Sequence, residues 1–138
     1  MQMQLKHKAH FIVIPVMTFC TLLTTSVVSA DCSKTKDKIK VEQRALKRWD
    51  ALIAHDLKQA YKFLSPSVKE LKSYKLYQAK IRFLQWKKAE VNKLTCNDDV
   101  CTINLQITYD HAKMSNVKTL LTETWIKNKE EWWLSVKK

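Results

Sequence analysis

The chain has 138 residues, with 25 lysines and arginines against 13 acids, a formal charge of +12, and no glycine. That length suits one domain. A glycine-free chain excludes Gly-rich phosphate loops, dinucleotide fingerprints, nucleophile elbows and EF-hand loops, because each needs a backbone conformation or close approach that a Cβ blocks.

Lys6 and Lys8 stand in the first ten residues without an acid, Phe11 to Val28 is uncharged, and Val28-Ser29-Ala30 closes the run with small residues. This order reads as a secretory signal peptide over residues 1–30, cleaved after Ala30, and implies a periplasmic or secreted protein. The rival is an uncleaved anchor helix. Thr18, Thr21, Thr24, Thr25 and Ser26 dilute the stretch and Pro15 would kink it, so no stable membrane span is expected after cleavage. Asp31 precedes Cys32 where lipidation needs a small residue, so Asp31 is the expected mature N-terminus. The mature chain then has 108 residues, residues 31–138, forming a single domain with a charge of about +10.

From Lys36 to His55, Val41, Ala45, Trp49, Leu52 and Ile53 fall on one helical face and basic residues fill the other. Asp56 with Gln59 reads as the cap of a second helix whose stripe is Leu57, Ala60, Tyr61 and Leu64. Ser65-Pro66 ends it, because proline disfavours helical geometry in the preceding residue. Val68 and Leu71 make a short apolar turn. Ser73 can cap a third helix carrying Tyr74, Tyr77, Ile81 and Leu84.

After Trp86 the period becomes two. Cys101, Ile103, Leu105, Ile107 and Tyr109 alternate with polar residues, the pattern of a strand with one buried face. A weaker strand over 88–96 precedes it across the turn Asn97-Asp98-Asp99. Strands over 117–127 and 131–137 follow, the first with Val117, Thr119, Leu121, Glu123 and Trp125 on one side. The expected fold class is α+β, with three N-terminal helices packed on a curved, mainly antiparallel sheet of about four strands.

Arg48-Trp49 in a long first helix, Tyr61 with Ser65-Pro66, Trp86 entering the sheet, and Glu123-Thr124-Trp125-Ile126 answered by Glu131-Trp132-Trp133-Leu134 resemble the NTF2-like superfamily. More narrowly, the chain resembles small exported bacterial members with a cysteine pair across the first hairpin, here Cys96 and Cys101. The family often has glycine in the last turn, where this chain has Glu130. The resemblance implies a cone of sheet wrapped around helices, often with a pocket at its open end. Such a pocket holds an enzyme site, a bound small molecule or nothing, so the fold does not settle the function.

Cys96 and Cys101 flank a turn, and in an exported protein their expected state is a disulfide. The alternative is a metal site completed by Asp110 and His111, but the chain lacks the second ligand pair that zinc sites use, so neither metal nor cofactor is expected. Cys32 is left as a free thiol or an intermolecular bridge. Tyr109-Asp110-His111 looks catalytic, yet these residues enter a polar loop through Lys113 and Ser115-Asn116, and neighbours on a strand point to opposite faces. Asp50 and His55 fit an exposed ion-pairing role on a basic helix. No catalytic residue is therefore assigned.

Trp49 and Trp125 sit on predicted apolar faces. Trp132 and Trp133 are strand neighbours, so one faces outward, onto a partner, a terminus or an exposed patch. They are the candidate interface, and superfamily members commonly dimerise through the outer sheet face, so a homodimer is expected. Only Arg44, Arg48 and Arg82 are arginines in the mature chain, and no basic-aromatic recognition motif is present, which argues against nucleic acid. An anionic envelope component is a nearer partner for the lysines. Two functional readings follow. One is a non-catalytic binding or accessory protein of the bacterial envelope. The other is a small-molecule-binding or isomerase- or dehydratase-like protein whose pocket is lined by Tyr61, Tyr77, Tyr109 or Trp125.

Overall fold

The computed structural model of the chain describes residues 29–81 and 85–136. All but the last two residues of the expected leader, and Leu84 of the expected third helix, lie outside them. Four helices precede four strands: α1 (Ser29–Ile53), α2 (Leu57–Lys62), α3 (Pro66–Leu71), α4 (Tyr74–Lys80), β1 (Gln85–Asn97), β2 (Val100–His111), β3 (Met114–Asn128) and β4 (Glu131–Ser135). The strands form one antiparallel sheet in the order β1-β2-β3-β4.

Helix α1 buries Val41, Ala45, Trp49 and Leu52, one stripe at helical spacing, against the sheet. It stops in a Schellman arrangement: Asp56 N donates to Ala51 O (2.8 Å) and His55 N to Leu52 O (3.1 Å). His55 holds the left-handed position, φ 59°, that glycine usually takes. The next three helices are short, and each opens on a side-chain cap. Asp56 accepts from Gln59 N, Ser65 from Val68 N and Ser73 from Leu76 N.

Two expectations about the helices need correction. The apolar turn at Val68 and Leu71 is the helix α3, because Ser65-Pro66 not only ends α2 but supplies the cap and the first helical residue of the next element. The helix capped by Ser73 ends at Lys80, with Ile81 already extended (φ −80°, ψ 110°).

On the sheet, paired residues across the register place Cys101, Ile103, Leu105 and Ile107 of β2 on the helix-facing side with Leu121, Glu123 and Trp125 of β3. β1 carries two bulges, which leave Lys87 and Asn92 without opposite partners. Its inward residues are therefore Trp86, Ala89, Val91, Leu94 and Cys96. The predicted polar loop after Tyr109 is also corrected. β2 runs to His111, Ala112-Lys113 make a two-residue turn, and β3 starts at Met114. Asp110 Oδ1 accepts from Asn116 N (2.8 Å) and Asp110 Oδ2 pairs with Lys87 Nζ (2.8 Å), so the ladder continues through an irregular register.

The far edge of β4 is closed by the chain between α2 and α3. Leu134 N donates to Phe63 O (2.9 Å) and Ser65 N to Leu134 O (3.0 Å), giving a parallel bridge from Leu64 to Leu134.

Candidate functional site

The carboxylate of Glu123 lies between α1 and β3, 6% exposed. Its Oε1 accepts from Arg48 Nη1 (2.6 Å) and Trp49 Nε1 (2.9 Å), and its Oε2 from Trp125 Nε1 (3.1 Å). Strand alternation turns Glu123 and Trp125 to the same face, and consecutive positions on α1 supply Arg48 and Trp49. A buried carboxylate is tolerated only when paired and hydrogen-bonded, and this one is both.

Tyr77 of α4 sits beside this group. Its buried hydroxyl has no hydrogen-bond partner, and Arg48 Nε is likewise unpartnered. Burial raises the Tyr77 phenol above its usual range, with Arg48 opposing the shift and the Glu123 and Tyr74 charges reinforcing it. Tyr61 packs on Tyr74 and Tyr77 at centroid distances of 5.4 and 5.3 Å, and its hydroxyl donates to Lys72 O (2.8 Å).

Two recesses share Arg48 and Leu121. One, of about 370 Å³, lies among Trp49, Leu52, Lys80, Ile81 and Trp86. The other, of about 280 Å³, runs along Leu121 to Thr124 of β3 and Leu134 to Val136 of β4. The first is mostly apolar, with Lys80 and the Glu123-paired Arg48 at its wall. Neither lining contains histidine or cysteine among the described residues.

Among the pocket-lining candidates, the structure brings Tyr77 and Trp125 to the Arg48–Glu123 pair. Tyr61 belongs to the aromatic group behind Tyr77. Tyr109 packs against the core from β2, opposite Trp86 in the ladder. Trp49 stands edge-on to Trp86 at 5.7 Å. Arg48 and Glu123, the centre of the site, were not among the candidates. Their signal is a lone acid on an otherwise apolar strand face and an arginine adjoining a buried tryptophan.

The interface candidates divide. Trp132 is fully buried, and its Nε1 donates to Asp37 Oδ1 of α1 (3.1 Å), so it offers no surface to a partner. The adjacent Lys127 ammonium pairs with Asp37 and Glu130, which raise its pKa against the opposing effect of desolvation. Trp133 is half-buried between cations, with Arg44 and Lys69 each 5.1 Å from its ring centroid. Burial and the Arg44 charge lower the pKa of Lys69.

Cys96 and Cys101 face each other across β1 and β2 and are joined by a disulfide, with Cα atoms 4.0 Å apart. The left-handed residues His55, Asp98, Ala112, Asn116, Lys129 and Glu130 fall at turns and one bulge. Glu130, which stands where the resembled family often has glycine, takes the left-handed conformation all the same, φ 64°. Among the described residues no group of three or more histidine, cysteine, aspartate or glutamate side chains could hold a metal. No described helix is long and apolar enough to cross a membrane.

No protein-family model matches the chain, and no curated protein does. Solved structures do. One is described as an NTF2-like transpeptidase from Campylobacter jejuni, at a TM-score of 0.53 and 19% identity, covering 70% of this chain and 98% of that one. Another is a SEC-C motif containing protein from Rhodopseudomonas palustris, at a TM-score of 0.55 and 12% identity, covering 64% of this chain and 70% of that one. At these identities the likeness concerns the fold: helices packed on a four-stranded antiparallel sheet, α+β and NTF2-like.

Proposed function

We propose that this chain is an exported bacterial protein of the NTF2-like fold that serves the cell envelope by binding, without catalysis. The observation that carries the reading is the state of Glu123. Among the described residues it is the buried carboxylate, and Arg48, Trp49 and Trp125 each donate to it. A general base must reach a substrate proton directly or through one water. Glu123 instead supports a wall, and beside it lies the apolar recess with Arg48 and Lys80. A small, mostly apolar molecule fits that lining, with the Lys80 ammonium at its wall to meet a negative group. The basic surface draws anions toward the protein and suits contact with an acidic envelope component.

Transpeptidation, the activity in the description of the Campylobacter structure, needs a nucleophile with a base beside it. The recess linings supply serine and threonine but no histidine. An isomerase or dehydratase meets the same difficulty. Export rests on the basic, uncharged, small-residue order of the leader, and the disulfide is compatible with an oxidising compartment.

Native mass spectrometry of the protein expressed with its own leader and recovered from the periplasm tests this reading. The expected spectrum shows cleavage after Ala30 and an adduct of defined small mass, lost when Leu121→Trp fills the recess. An unprocessed chain in the cytoplasm would overturn export. Turnover of a candidate ligand by the purified protein would overturn binding without chemistry.

A further inference from the structure

Trp133 gathers cations from two helices. The Arg44 guanidinium of α1 and the Lys69 ammonium of α3 each stand 5.1 Å from its ring centroid, so the two charges are separated by at most twice that distance. An aromatic face attracts a cation without supplying a strong acceptor, so the N–H groups of both heads stay available. Arg44 Nη1 donates to Glu131 Oε2 (2.9 Å), and Glu131 stands at the rim with its side chain 57% exposed. Arg44 Nη2 has no hydrogen-bond partner among the described residues and is not enclosed. Lys69 Nζ donates to Lys62 O (2.8 Å), which leaves two ammonium protons, and it forms no ion pair among the described residues. Two like charges thus share one aromatic base with one carboxylate at its rim. Burial and the Arg44 charge together hold the Lys69 pKa below its ordinary value, a cost that a bound anion relieves.

We propose that Arg44 and Lys69 form a binding site for a phosphate group beside the Trp133 ring. A guanidinium fork and an ammonium point charge both suit phosphate, the first by parallel N–H···O bonds and the second by its free orientation. Phosphate directs oxygens to several sides, so one anion accepts from Arg44 Nη2 and Lys69 Nζ together. Charged N–H···O bonds of about 2.8 Å on its two sides hold such donors up to about 8 Å apart. The flexible four-carbon stem of Lys69 supplies the remaining adjustment. A carboxylate, with two oxygens on one side, satisfies the fork and leaves the ammonium unmet.

The site shares no residue with the lining of either recess. It gives the proposed contact with an acidic envelope component a definite seat, and rests on that reading for its occupant in the cell.

Isothermal titration calorimetry with inorganic phosphate at low ionic strength, on the protein expressed with its own leader, tests it. The expected result is one-to-one binding that weakens with added salt. Arg44→Gln with Lys69→Gln raises the dissociation constant at least about tenfold. Lys93→Gln with Lys118→Gln, which removes the same charge from β1 and β3, changes it less than about twofold. Glu131→Gln removes the competing carboxylate and tightens binding, a gain that a damaged fold does not imitate. Cosedimentation with phosphatidylcholine vesicles, with and without phosphatidylglycerol, separates the sources. Vesicle binding that free phosphate displaces marks a lipid headgroup, and phosphate binding without vesicle binding marks a soluble or polymeric phosphate. No phosphate binding, or acetate bound as tightly, would overturn the site. Equal losses from the two charge-removing pairs would also overturn it, while leaving a diffuse attraction to acidic partners intact. An unprocessed chain that still binds phosphate would remove the envelope partner and keep the site.

Discussion

Arg48 and Glu123, 75 residues apart in the sequence, meet at 2.6 Å between the first helix and the third strand. Their side chains are 11% and 6% exposed, so most of each charged group is held away from bulk water. Trp49 and Trp125 add indole donors to the same carboxylate. The pair fastens α1 to the sheet at the point where both recesses meet.

Removing one partner leaves the other charge buried. Glu123→Leu and Arg48→Met are each expected to cost about 3–5 kcal/mol, read from the midpoint of urea unfolding. Glu123→Gln keeps the acceptor oxygen and costs less. Equal losses for Gln and Leu would assign the effect to side-chain shape rather than to the charge.

The left-handed turn residues give a prediction of opposite sign. Lys129 (φ 51°) and Glu130 (φ 64°) make the β3–β4 turn, and Ala112 (φ 51°) the β2–β3 turn. A Cβ there costs roughly 1–2 kcal/mol, partly offset by the unfolded-state freedom that glycine adds. Ala112→Gly and Lys129→Gly should each raise stability by up to about 1 kcal/mol, measured by thermal unfolding. At Asn116 and Asp98 the gain should be smaller, since asparagine and aspartate tolerate this region.

Tyr77 carries a pH dependence. Its folded pKa lies above the unfolded value near 10, because burial disfavours the phenolate. The folded state therefore holds the phenolic proton where the unfolded chain releases it. The contribution is whole below the unfolded pKa and is lost as pH rises through the folded one. Tyr77→Phe should flatten the alkaline limb of a stability–pH curve. At neutral pH it should be neutral or stabilising by about 1 kcal/mol, because it removes an unpartnered buried hydroxyl.

The disulfide closes a loop of six residues, from Cys96 to Cys101. Chain entropy then gives about 2 kcal/mol for its removal. Cys96→Ala with Cys101→Ala should lose that much in denaturant unfolding and keep the fold, because the rungs on both sides remain hydrogen-bonded.

Much of this architecture is legible in the sequence, and the gaps have identifiable causes. β2 alternates without interruption from Cys101 to Tyr109, so its period of two is plain. β1 reads weakly because the bulges at Lys87 and Asn92 space its inward residues by three, two, three and two. α3 escapes detection because six residues hold too few turns for a helical period, and its Pro66 signals an ending as readily as a start. The caps at Asp56 and Ser73 are local signals and were readable. The Arg48–Glu123 pair is not local. Each residue is visible as an oddity, but only the folded register brings them together. Trp132 and Trp133 show the same limit: alternation separates them, while the burial of one by Asp37 and the stacking of the other under Arg44 and Lys69 depend on α1 and α3.

The meander order of the sheet has a consequence for the timing of folding. Each strand pairs with its neighbour in sequence across a turn of two residues, so every hairpin can form from local contacts soon after it is made. Helix α1 also has distant partners. Its fastenings, Arg48 to Glu123 and Asp37 to Trp132, reach 75 and 95 residues along the chain. Synthesis delivers α1 first and its partners last. Helix α1 can thus settle against α2 and β1 early, but the ties that hold it to the sheet close only when β3 and β4 are in place, and each closes a long loop.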